Sequence, residues 1–224
     1  MRVLSRIGII AATLIGLVFL VQPASAAPKQ ATASVSRADA RDLRTAMRKL
    51  WEDHVTWTRN YIVSALAGLA DAEAVAQRLL KNQDDIGAAI MPYYGEPAGK
   101  KLASLLRDHI LVAAEVVSAA KAANGEQLAT AQQKWQANAD EIAAFLTDAN
   151  PHWGKKETQS MLRQHLDFTT TEVVARLKKD WAADIKAYDE GHVHMLMFAD
   201  ALADGIAKQF PAKFSRTSAA FQSH

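Results

Sequence analysis

Asn82-Gln83-Asp84-Asp85-Ile86 and, 56 residues later, Asn138-Ala139-Asp140-Glu141-Ile142 decide how this chain is read. Each word sets an asparagine among apolar residues. Each is followed by a proline-containing connector and then by a second shared word, Leu105-Leu106-Arg107-Asp108-His109 and Met161-Leu162-Arg163-Gln164-His165. His109 and His165 are again 56 residues apart. A correspondence that spans two elements and the turn between them predicts an internal helical-hairpin repeat, with residues 71–124 matching 127–179.

Around these words the apolar residues fall at steps of three or four, the spacing of one helix face. Leu43, Met47, Leu50, His54, Trp57 and Tyr61 form the first line, and Val75, Leu79, Asn82, Ile86 and Ile90 the second. Leu102, Leu105, His109, Val112 and Val116 follow, then Leu128, Trp135, Asn138, Ile142 and Phe145. Met161, His165, Phe168 and Glu172 make the fifth line, and Ile185, Tyr188, His192, Met195, Ala199 and Leu202 the sixth. Pro92 is expected to stop the second helix before Met91, because proline disfavours helical backbone in the residue before it. That leaves 92–99 as a connector. Asn124-Gly125, Asn150-Pro151 and Phe210-Pro211 mark the later stops. The turn between the fifth and sixth helices carries no Gly or Pro and is placed only within 177–183.

Sustained alternation is missing, and alanine fills the spaces between apolar positions, which favours helices in close contact over strands. The expected fold is all-α: an up-and-down antiparallel helical bundle of about six helices over 37–210, with short connectors joining neighbours.

The first residues read as a targeting segment. Arg2 and Arg6 precede an apolar run from Ile7 to Val21, and Ala24-Ser25-Ala26 supplies small residues for cleavage after Ala26. Residues 1–26 are therefore expected to be a signal peptide, with an uncleaved anchor as the alternative. Residues 27–36 are expected to be a disordered leader and 211–224 a flexible tail. The mature chain would be periplasmic or secreted, with no stable membrane insertion.

The full chain has 26 Lys+Arg against 24 Asp+Glu, and loss of Arg2 and Arg6 would leave it neutral. No positive stripe is left to bind nucleic acid. The absence of cysteine excludes thiolate metal sites, disulfides and covalent haem. No Gly-rich phosphate loop and no Gly-x-Ser-x-Gly elbow occurs, so nucleotide use and elbow-type hydrolysis have no support. Glu52 and Asp53 beside His54 do not form a nucleophile–base set, and an enzyme is the less favoured class. A protein partner or a second copy of the chain is left open.

Each line carries a polar residue near its middle: His54, Asn82, His109, Asn138, His165 and His192. Helices joined by short turns bring their midpoints to one level, so these residues are expected to form a polar belt. Burying them requires partners. One reading is a hydrogen-bonded layer that fixes helix register, in a bundle whose role is structural or partner-binding. The other is a transition-metal or small-cofactor site in an exported carrier or sensor component, with zinc or copper held by His54, His109, His165 and His192, and Asp85 or Glu141 completing or orienting them. His194, Met195 and Met197 add a His/Met set on the last helix, a combination that suits copper. Tyr93, Tyr94, His152 and Trp153 lie in the connectors, either as a ligand surface or as a plug for the bundle end.

With Leu50-Trp51-Glu52-Asp53-His54-Val55-Thr56-Trp57-Thr58-Arg59, the Asn82 word and Pro92-Tyr93-Tyr94-Gly95 in view, the chain resembles an uncharacterised group of bacterial exported helical proteins. The likeness covers about residues 45–210. It implies one compact domain and carries no catalytic residue over.

Overall fold

The computed structural model describes residues 40–214. The expected signal peptide, the leader and residues 215–224 of the expected tail lie outside the described residues. Six long helices follow one another: α1 (Ala40–Ala67), α2 (Ala72–Tyr94), α3 (Glu96–Lys121), α4 (Gly125–Ala149), α5 (Lys155–Leu177) and α6 (Trp181–Gln209). A single turn, α7 (Pro211–Phe214), opens the expected tail. No strand occurs among the described residues. Nor is any described helix long and apolar enough to cross a membrane.

Each helix packs on the next, and α6 returns to α1. Helices α1, α3 and α5 also touch one another, so the three helices that carry His54, His109 and His165 meet in the interior. The core around them is apolar, with Met47, Trp51, Ile86, Leu105, Trp135, Ile142, Leu166 and Phe198 among its buried members.

Two boundaries differ from expectation. Helix α2 runs through Pro92 to Tyr94, and the connector is Gly95 alone. Proline costs the helix the one bond its missing N–H would make and crowds the carbonyl four residues back, and the packing of that turn outweighs this and the local bias. Tyr93 stacks on Phe214, and Tyr94 meets Phe210 and Trp153. The reversal occurs at Gly95, whose φ of 84° lies in the region that side chains avoid. The sixth line holds at Met195, Ala199 and Leu202, which are buried, but its first half is displaced, since Ile185 is more than half exposed. There the buried face of α6 runs instead through Asp184, Ala187, Gly191 and His194. Its small residues let α6 approach closely, and a count of large apolar side chains overlooks them.

The connector aromatics close the bundle end. Asn150 donates to the Tyr94 hydroxyl (2.9 Å), which donates to Gln209 (2.8 Å). Trp153 is buried over Gly205 and donates to the Ala201 carbonyl (3.2 Å). A Cβ at position 205 would overlap the indole, so that glycine is required by the contact. His152 stays exposed.

Candidate functional site

Three imidazoles lie buried at the meeting of α1, α3 and α5. His54 Nε2 is 3.4 Å from His165 Nε2, and the His165 ring lies 6.2 Å from the His109 ring, 25° from parallel. The surrounding side chains are largely apolar, and burial among them lowers all three basicities. His54 falls to about 3, through burial and then through the neighbouring His109, against a small upward pull from Gln83. His109 falls to about 4 through burial, partly offset by Asn138. His165 lies well below the ordinary imidazole value, through burial and the imidazoles around it. All three are neutral at pH 7.

One hydrogen-bond pattern holds each of these helices to an outer neighbour. Asn82 donates to the Leu50 carbonyl, Asn138 to the Leu105 carbonyl and His194 Nε2 to the Met161 carbonyl, at 3.0, 3.0 and 2.7 Å. Leu50, Leu105 and Met161 each lie four residues before one of the three buried histidines. Asn82, Asn138 and His194 are spaced by 56 residues, as the quoted words are.

The imidazoles are not equally well held. His109 is fully paired: its Nδ1–H donates to Asn138 Oδ1 (2.7 Å), and Trp135 Nε1–H donates to its Nε2 (3.1 Å). His54 has only long contacts, 3.3 Å from Gln83 Nε2 to its Nδ1 and 3.4 Å to His165. That Gln83 amide nitrogen also faces the Leu79 carbonyl (2.8 Å) and Asn82 Oδ1 (3.1 Å), so two N–H groups serve three acceptors and His54 is served worst. Two buried polar atoms beside His54 have no partner, Gln83 Oε1 and Trp51 Nε1. The Trp51 ring lies edge-on to His54 at 5.5 Å.

Of the remaining sequence candidates, His192 is only partly buried, and its Nε2 faces Glu52 Oε1 at 3.6 Å. His194 occupies the position that corresponds to the two asparagines. Met195 is in the core and Met197 is exposed. Asp85 pairs with Lys81 at the surface, and Glu141 is exposed. Among the described residues, no three His, Asp or Glu side chains already converge as a metal-holding group.

A second buried polar cluster lies on α1, α5 and α6, and sequence reasoning caught only its Glu172. Arg59 bonds Glu172 (2.8 Å) and grips Asp184 with both of its terminal nitrogens, and Arg176 bonds Asp184 (2.8 Å). Burial raises the Glu172 carboxyl despite Arg59. At Asp184 burial pulls upward too, but Arg59 and Arg176 outweigh it and hold the carboxyl below its ordinary value. A lone carboxylate on a buried line demands a cation. That was the available signal for Arg59, five residues after His54.

No protein-family model matches the chain, no curated protein matches it, and no solved structure matches it.

Proposed function

We propose that this chain is an exported carrier or sensor component that binds one transition-metal ion, zinc or copper, between His54 and His165. The observation that carries the reading is the 3.4 Å separation of two neutral imidazole nitrogens. It is long for a hydrogen bond. It falls within the roughly 3.3–3.6 Å between two nitrogens that each lie about 2.0–2.1 Å from one ion at tetrahedral or trigonal angles. The depressed basicities keep both rings neutral, and His54 Nε2 takes an ion only with its proton on Nδ1, so the contact there with the Gln83 N–H is given up when the ion binds. His109 completes a trigonal set only if Trp135 releases its Nε2. No carboxylate joins the pair, so the ligands are neutral, and burying a divalent charge among them costs more than burying monovalent copper.

A second reading keeps the layer purely structural, as a device that fixes helix register in a partner-binding bundle. The short bonds on both ring nitrogens of His109 favour it for that residue.

Melts of the wild type with chelator, zinc or Cu(I) separate the two. Binding to the folded form alone stabilises it by about 2.7 kcal/mol at a free-ion concentration of one hundred times Kd. The metal reading expects one ion per chain and a raised Tm, with the increment lost in His54→Gln/His165→Gln. A Tm indifferent to both ions supports the structural reading. Ordinary imidazole values would have binding fade near pH 5. Burial takes His54 to about 3 and His165 well below the ordinary imidazole value, so acid unfolding sets the lower limit instead.

A further inference from the structure

A small cavity of about 20 Å³ lies between α1, α5 and α6, with His165 on its inner side and His192 nearer the surface. Thr58 and Glu172 also line it. A volume of that size admits one water-sized occupant. Two polar atoms among its lining residues are buried without a partner, Thr58 Oγ1 and His192 Nε2. The His192 ring is held parallel to Tyr188, with centroids 5.9 Å apart. Its Nε2 faces the carboxylate of Glu52, a residue more than half exposed, at a distance too long for a hydrogen bond.

We infer that Glu52 and His192 form an outer capture site for the metal ion, and that the cavity past Thr58 is its passage to His165. This rests on the metal-binding reading above. Glu52 supplies the negative charge that the inner pair lacks, and a carboxylate at the surface raises the local concentration of cations. Their 3.6 Å separation is close to that of an oxygen and a nitrogen sharing one ion. Thr58 Oγ1 and His192 Nε2 can replace waters lost by an ion in transit. The inner imidazoles then hold it away from solvent. Since capture and release use the same route, residues at the mouth govern both rates and leave the equilibrium alone.

The experiment is stopped-flow exchange between the purified chain and a chromogenic chelator, using zinc, or Cu(I) if the wild type takes only that ion. Glu52→Gln and His192→Gln are expected to slow loading and release together by about tenfold or more, with one ion per chain and Kd within about twofold of the wild type. Glu52 is exposed, so its variant should keep the wild-type circular dichroism and melt in chelator. Unchanged rates in both variants, while His54→Gln/His165→Gln abolishes binding, would overturn the passage and leave the inner site standing. A wild type that binds neither ion would overturn both.

Discussion

The imidazole layer and the Arg59–Glu172–Asp184–Arg176 cluster are buried in the same bundle and share α1 and α5, yet they solve the cost of burial in opposite ways. The cluster keeps its charges and balances them, with two guanidinium groups against two carboxyl groups and bonds of 2.8 Å. The layer keeps no charge: burial strips the protons from His54, His109 and His165. A charge-balanced cluster has no spare valence for a ligand. A neutral layer of nitrogens, one pair of which is loosely bonded, has spare lone pairs. That difference is the reason the metal-binding proposal rests on the layer and not on the cluster.

Acid should separate the two most strongly. The folded basicities of the three imidazoles lie below the unfolded value of about 6.5, so their full stability contribution is present above that pH. It is lost as pH falls toward about 4 and 3, the values for His109 and His54. Each imidazole contributes a slope of up to about 1.4 kcal/mol per pH unit, so three approach roughly 4 kcal/mol per unit only below about pH 5.5, where the unfolded imidazoles are almost fully protonated. Asp184, held low by its arginines, adds acid sensitivity only below the ordinary carboxylate range. Stability from urea melts between pH 7 and 4.5 checks this. A flat profile would mean that the imidazoles are not buried neutral.

Removing one partner from the cluster has the next largest effect. Asp184→Ala leaves Arg59 and Arg176 facing each other, and should cost about 3–5 kcal/mol at pH 7. The metal response, if present, should survive in the folded fraction. Denaturant melts with and without metal read both quantities.

The smallest effect is expected at Asn138, which serves His109 and the Leu105 carbonyl together. Asn138→Ala should cost about 1–3 kcal/mol, through the polar groups it leaves unpaired. Asn82→Ala, which frees the Leu50 carbonyl and one Gln83 contact without touching an imidazole, should cost less. Paired melts rank them, and equal losses would deny His109 its special pairing.

Much of this was legible in the sequence. Spacing at three and four revealed six helices, and the polar residue on each line pointed to His54, His109 and His165. The first half of the buried face of α6 was displaced because Ala187 and Gly191 carry no hydrophobic signal by size, which put His192 where His194 stands, while Met195, Ala199 and Leu202 were placed correctly. The 56-residue step from Asn138 already pointed to His194. The Pro92 boundary was misplaced because local backbone bias was weighed without the Tyr93 and Tyr94 packing that overrides it. Arg59 and Asp184 were illegible as a pair, because 125 residues separate them and only the return of α6 to α1 brings them together.

The most direct test of the central claim is a metal titration of the purified chain at pH 7, followed by calorimetry on the wild type and on His54→Gln/His165→Gln. The account predicts one tightly bound zinc or copper ion per wild-type chain and none in the double variant. A wild type that binds neither ion, or a double variant that binds as the wild type does, would contradict it.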